Sequence, residues 1–515
     1  MCLPASPISP AFPCFTDLYT LLCNLLPKYD SVITIAKDHA ILVRPGQFDS
    51  IRHWHEKAHN ATIHPLLNFF LNLSQSRLIQ RYCHLHPSVD TQVLRELLSY
   101  DLQYFRWAGA DLITVTSAGG QRQIVVIENN SCPSGQKSMP LQDEHQEQGG
   151  YRNLIERSFK PFSEMKRGLI NGALAVIYDK NEMENTGYAA AMADAFGEPV
   201  YLATFKDNDR DSAVRFNDAV LEVRDEQGVW FPIRAAFRYV TQKPWNRIPI
   251  HTRTRIFNPV IACLAGGRNK LVASKAYAIF NAELAAAGLK IYTPETIWDV
   301  DKNEVPIWVK KLGGQAVVKV PYDNAGQGVY TIVTKKELDA FMRKDFEYDK
   351  FIVQSLIGNF QWTSTTAQGK MYHVGMVPSS KEHTFVFDLR MMLSGTTQGI
   401  RPLAVYSRRA ALPLKDKVSA DDSSWDMLGT NLSSRDPDGE WQTDTTRLLL
   451  MDRRDFNSLG LGLDDLIEAY IQTVLSTIAI DKMAQTLLTQ KGYFRRKLFQ
   501  SLDDDSALMK EILSD

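Results

Sequence analysis

The 515-residue sequence predicts an α/β chain with a helical N-terminal region, and three observations carry that prediction. Residues 1–100 show mostly helical apolar spacing. Residues 101–265 alternate strand-like and helix-like runs, the pattern of an α/β domain. Further on, the apolar run Ala316-Val-Val ends in Lys319 and opens into a loop bearing Gly326 and Gly328.

The elements follow in order. The segments 64–73 and 93–98 place apolar residues at helical intervals, which reads as a packing region without chemistry. Asp111–Val115, a Gly119-Gly120 turn and Gln123–Ile127 read as a β-hairpin. Leu174–Tyr178 is a buried strand, followed by a helix through Ala189–Phe196 and a strand from Val200. Ala273–Ala287 reads as an alanine-rich helix. Residues 315–320 and 350–354 read as strands with a helix, Lys336–Arg343, between them. Thr384–Leu393 is a further strand, and 464–490 a helix. The Asp/Ser/Thr-rich segment 415–445 reads as a mobile loop, and the chain beyond Arg495 as a charged tail free to fray.

Composition narrows the class. Hydrophobic residues make up 44% of the chain, charged residues 23%, and the net charge is −1, which gives no reason to expect nucleic acid or an anionic membrane as partner. No apolar run approaches the roughly 18 residues of a membrane span. The six cysteines are scattered without zinc or CxxC spacing, which points to the reducing cytoplasm. The N-terminus carries prolines and Asp17 without a basic stretch before its apolar run, unlike a signal peptide.

Two motifs carry chemistry. A lysine leaving a buried strand needs an anionic partner, and Lys319 is followed by Asp323, Gly326 and Gly328, a loop able to bring backbone N–H groups to phosphates. The bland alternative is a strand-end lysine that snorkels to solvent. Glu128 and Asn130 end the Gln123 strand two residues apart, so their oxygens share a face and can reach one Mg2+ ion, which favours hard oxygen donors beside phosphates. Ser131 and Ser134 follow with hydroxyls in a turn. The alternative there is a polar strand exit. Cys132 reads as a turn neighbour, since nothing nearby would activate its thiol.

A Glu-x-Asn that precedes a lysine loop with an acidic residue four positions on resembles the circularly permuted ATP-grasp fold, as in eukaryotic-type glutathione synthetase and glutathionylspermidine synthetase. Further segments are similar in order: Ala236-Phe-Arg238-Tyr, the stretch from Cys263 to Lys275, Phe351–Ile357 and Asp388-Leu-Arg390. The resemblance covers roughly residues 100–490 and rests on short motifs, so it speaks to fold more than to substrate. It implies a helical region 1–100, a substrate and metal-motif domain 101–265, a lid-type subdomain 266–350 with the Lys319 loop, a core with C-terminal helices over 351–495, and the tail 496–515.

The resemblance also implies roles. Glu128, Asn130 and Asp323 would hold Mg2+. Lys319 and Lys275 would neutralise ATP phosphates, with Lys270 as the alternative to Lys275. Gly326, Gly328, Gln354 and Ile357 would line the nucleotide site, and Arg390 would meet the transferred phosphoryl group. Arg238, Ser131 and Ser134 would hold the acceptor carboxylate, and the loops 324–328 and 415–440 would close over it. The implied reaction is ATP-dependent ligation of a small-molecule carboxylate to an amine through an acyl phosphate, on an amino acid, peptide or polyamine. Alternatives are the same chemistry on a carrier-bound or peptide-natural-product substrate, and a non-catalytic nucleotide-binding regulator. Related ligases are often dimers. The sequence departs from the family at Ala325, where a glycine run is usual, and at Gln354-Ser355, where glutamate is frequent. Arg401, Arg408 and Arg409 are loose candidates for the family's substrate-end basic motif.

Overall fold

A computed structural model describes residues 38–513 except 166, 167, 169, 207–210, 242, 324, 325, 420 and 436–440. The first 37 residues of the expected helical region, with Cys2, Cys14 and Cys23, lie outside the described residues, as does Ala325 in the lysine loop. Three main sheets organise a mixed α/β chain.

The first sheet has the parallel strands Val200–Thr204, Ala173–Tyr178, Trp230–Tyr239 and Arg255–Phe257. Its central strand, Leu-Ala-Val-Ile-Tyr, is buried throughout, as a strand covered on both faces requires. Helix Glu182–Phe196 runs from this strand to Val200–Thr204, starting about two turns before the predicted stretch and ending at Gly197 in the left-handed region (φ 67°). The edge strand Ile41–Val43 pairs with Val200–Thr204. The 1–100 region therefore contributes a strand as well as its predicted helices.

The second sheet is antiparallel and holds the predicted hairpin, Trp107–Ser117 with Arg122–Ser131. Trp107–Ser117 also pairs with Phe387–Thr396, which pairs with Gly399–Arg409. Strands from residues 107–131 and 387–449 thus share one sheet. The chain between them builds most of the rest, including the third sheet, ordered Thr296–Asp301, Lys350–Ser355, Ala316–Lys319, Val329–Ile332.

A long helix, Leu463–Thr486, backs the second sheet and is buried along most of its length. Asp464 and Asp465 lie in its first turn, and the Asp465 carboxylate accepts the Gly462 N–H at 2.8 Å. Its buried polar residues are all used for packing contacts. Asp481 accepts backbone N–H groups of Tyr104 (2.7 Å) and Phe105 (2.8 Å), and Ser476 and Thr477 accept from Asn129. Helices Pro65–Leu71, Gln75–Leu85 and Thr91–Leu98 pack on its other side. Among the described residues no helix is long and apolar enough to cross a membrane.

Two expectations are corrected. The tail is helical over Arg496–Leu502 and Ser506–Leu513 and buries Phe499, Leu508, Asp503 and Asp505, because its few apolar residues fall on one face and its aspartates find donors. The 415–445 segment contains helix Ser424–Leu428 and part of a small hairpin, and Ser424 Oγ donates to Glu337 and Thr331 at 2.6 Å. That contact ties the segment to the third sheet.

Candidate active site

A cavity of about 490 Å³ lies where the three sheets meet. Glu128, Asn130, Ser134, Lys319, Asp323, Gly326, Gln354, Ile357 and Arg390 all line it. Residues predicted from separate stretches of sequence are therefore brought together.

A β-bulge sets the Glu128–Asn130 motif. Ile113 pairs with Val125, Leu112 with Val126, and Asp111 with Glu128, so Ile127 is an extra residue. Beyond the bulge Glu128 falls on the same face as Val125. Asn129 turns to the helix face, and Asn130 lies with Glu128, its Nδ2 3.3 Å from Glu128 Oε1. Bulges of this kind re-aim side chains next to functional sites.

Lys319 ends its strand 4% exposed, and its ammonium makes no hydrogen bond or ion pair among the described residues. Burial lowers its pKa to about 8, with Glu128 opposing and Lys270 adding to the effect. Lys270 Nζ stands 3.6 Å from Glu128 Oε2 and donates to the Asp323 carbonyl at 2.6 Å. One ammonium thus joins the Glu128 strand to the Lys319 loop. The loop needs its glycines for different reasons. Gly326 has φ 75° and packs under Trp425, and a Cβ on Gly328 would lie 2.6 Å from Asp323 Cβ. The two predicted lid segments are therefore in contact at Gly326 and Trp425.

Arg390 belongs to a buried quartet. It faces Asp111 across the sheet and grips it with two bonds, Nη2 to Oδ2 at 2.6 Å, while Arg408 pairs with Asp388 and reaches Asp111 at 3.2 Å. Burial alone would raise the Asp111 carboxyl, but Arg390 and Arg408 hold it well below the usual carboxylate range. Sequence reading missed Asp111 and also Arg268, which lines the cavity and donates to Asn130 Oδ1 at 3.2 Å and to the Ser131 carbonyl at 2.9 Å. A lone carboxylate inside the apolar run Trp107–Val115 was the available signal, since an unpaired buried charge is costly. Arg408, a loose candidate, proves to be part of this quartet.

Four predicted residues stand elsewhere. Lys275 pairs with Asp299 at 2.7 Å and donates to the Leu502 carbonyl, outside the cavity lining. The helix Lys270–Leu284 puts residue 270, at its first turn, on the cavity side instead. Arg238 is buried and donates to the carbonyls of Asn258 and Val240 and to Ser131 Oγ (2.9 Å). Neither Arg238 nor Ser131 lines the cavity. Together they hold the turn that carries Ser134, whose Oγ accepts from Asn181 at 3.1 Å. Gly328 also lies behind the lining, as a spacer beneath Asp323.

The donor set suits a hard cation completed by phosphate and water. Glu128, Asn130 and Asp323 offer oxygens only, and among the described residues no three His, Cys, Asp or Glu side chains cluster tightly enough to hold a metal alone.

Fold and site define a mixed α/β protein with a cation-rich cleft among three sheets. No protein-family model matches the chain, and no curated protein matches it. Several solved structures are similar to it at low values. A glutathione synthetase-like effector from Globodera pallida has TM-score 0.34 and 9% identity over 68% of this chain and 86% of that one. A RimK domain ATP-grasp protein from Sphaerobacter thermophilus has TM-score 0.27 and 11% identity over 58% and 99%. D-alanyl-alanine synthetase A from Vibrio cholerae has TM-score 0.29 and 12% identity over 45% and 87%. At these values the reaction has to be read from the cavity itself.

Proposed function

We propose that the chain is an ATP-dependent carboxylate–amine ligase with a circularly permuted ATP-grasp arrangement. One observation carries the reading. Lys319 and Lys270, from two different elements, converge with Glu128 in one buried cavity, a cluster suited to a polyphosphate. The permutation is supported by the second sheet, whose Glu128 hairpin precedes the lysine sheet and whose Arg390 strand follows it.

Lys270 takes the role first given to Lys275, and with Lys319 neutralises the phosphates. Glu128, Asn130 and Asp323 would hold Mg2+, which draws charge from the phosphate oxygens when bound. The substrate carboxylate oxygen attacks the γ-phosphorus and the bond to ADP breaks. The amine nitrogen then attacks the acyl carbon, loses a proton and releases phosphate. Arg390, fixed by Asp111, meets the negative charge of the phosphoryl group in flight, so positioning supplies most of the rate. Ser134 and Asn181 face the acid. Contact between the Gly326 loop and Trp425 keeps water from the acyl phosphate. The reading places the protein in the cytoplasm with small-molecule partners.

The test is magnesium-dependent ADP release from ATP with pools of amino acids, dipeptides and polyamines, followed by mass spectrometry. A product one water lighter than its summed substrates is expected, with Lys319→Ala about a hundredfold or more slower. ADP release that is indifferent to every pool, or undiminished in Lys319→Ala, overturns the reading.

A further inference from the structure

Lys180 is a half-buried cation whose ammonium has no partner among the described residues. It follows strand Ala173–Tyr178, lines the cavity, and makes no hydrogen bond or ion pair through its ammonium among the described residues. The carboxylates around it are engaged elsewhere. Asp179 accepts the Thr241 N–H at 2.7 Å and pairs with Arg247 at 3.3 Å. Glu184 accepts N–H groups of Gly135 (2.8 Å) and Lys137 (3.1 Å) and is shared with Asn181 and Tyr239. Besides its partial burial, Arg268 and Arg390 act against the charge of Lys180, and Asp179 and the Cys132 thiol favour it. With Asp179 engaged by Thr241 and Arg247, this end of the cavity carries an excess of positive charge, and Arg268, which donates to Asn130 Oδ1 at 3.2 Å, joins it to the Glu128 motif.

Topology gives an independent reason to place a ligand there. Helix Glu182–Phe196 carries the chain from Ala173–Tyr178 to the strand on one side, and the chain later returns to Trp230–Tyr239 on the other. The crevice outside the carboxyl ends of these two strands is a topological switch point, where open α/β sheets bind ligands. Lys180, Asn181 and Tyr239 rim that crevice, and all three line the cavity.

We infer that Lys180 determines specificity for an acid that carries, besides the carboxyl that reacts, a second anionic group held in this crevice. Asn181 Nδ2, already shared with Ser134, and the Tyr239 hydroxyl flank that group. A lysine without a fixed geometric fork accepts a carboxylate or a phosphate equally, so the substrate class is a dianionic acid. The inference rests on the ligase reading for its reacting carboxyl, but the crevice can be probed without turnover.

The experiment uses the full chain and matched dipeptide pairs: glutamyl against glutaminyl, aspartyl against asparaginyl, phosphoseryl against seryl. Thermal shift in the presence of Mg2+ and a non-hydrolysable ATP analogue reads binding, and ADP release reads turnover. At least one acidic member is expected to bind tenfold or more tightly than its neutral partner. Lys180→Met should erase that preference while leaving the affinity for the ATP analogue unchanged, and Lys180→Arg should keep it. A phosphoseryl preference alone would identify the group as a phosphate, a glutamyl or aspartyl preference as a carboxylate. Equal binding of acidic and neutral members, no binding by any, or a preference that survives in Lys180→Met overturns the inference. Acid-selective binding without ADP release would instead retain the crevice and reject the ligase.

Discussion

At the scale of single residues, the site balances buried charges that lack partners against charges that have too many. Lys319 belongs to the first kind. Its ammonium is lowered to about 8 by burial, so the free protein loses that charge as pH rises through 8. The value of kcat/KM for ATP should therefore fall above pH 8, and Lys319→Arg, whose guanidinium stays charged, should flatten that limb. A limb unchanged in Lys319→Arg would assign the titration to another group. The linked stability runs the other way. A lysine depressed in the folded state leaves the unfolded chain with more bound protons between pH 8 and the usual 10.4 or so, and that group's contribution to stability rises with pH there. Asp111 belongs to the second kind, clamped by Arg390 and Arg408. Asp111→Asn should cost about 3–5 kcal/mol in urea unfolding, because two buried cations lose their shared counter-charge. A loss under about 1 kcal/mol would mean that Asp388 alone suffices.

At the scale of elements, the tail acts as a brace. Asp503 is 1% exposed and accepts from Asn269 Nδ2 and Tyr322 Oη, both at 2.7 Å. Asn269 caps the helix that begins with Lys270, and Tyr322 directly precedes Asp323. A single carboxylate therefore fixes both segments that flank the Glu128–Lys319 end of the cavity. Burial raises its pKa to about 6, against the two hydrogen bonds. Folded protein then holds the proton more tightly than unfolded chain, so this group's contribution is greatest at low pH and declines as pH rises through 6. Asp503→Asn keeps one acceptor of two. It should raise the KM for ATP several-fold with a smaller change in kcat, and the acid's KM should stay put. An effect confined to kcat would argue against positioning. None of this was legible from the sequence, because an Asp-Asp-Asp run at a chain end reads as solvated until the partners that desolvate it are known. The Glu128 hairpin, the Lys319 strand and the long helix were legible, since periodicity and turn residues set them locally. The choice between Lys270 and Lys275 was not. It depends on the rotation of a helix whose apolar residues spread around its axis. Arg238 looked functional for a related reason: a strand-end arginine announces a charge but not its partners, and here backbone carbonyls consume it.

At the scale of the whole molecule, the three sheets converge on one cavity, and chain order explains why its residues are so far apart in sequence. The same order has a consequence for synthesis. Trp107–Ser117 cannot pair with Phe387–Thr396 until about 280 further residues exist, which at roughly 5–20 residues per second takes about 14–56 s on the ribosome. Through that interval the hairpin presents an open edge and an apolar face, including Leu112, on which the late helix Leu463–Thr486 has yet to pack. The nascent chain therefore carries its Glu128 strand as an unfinished template for most of its production, and a chaperone that shields extended apolar edges is the natural companion of its birth.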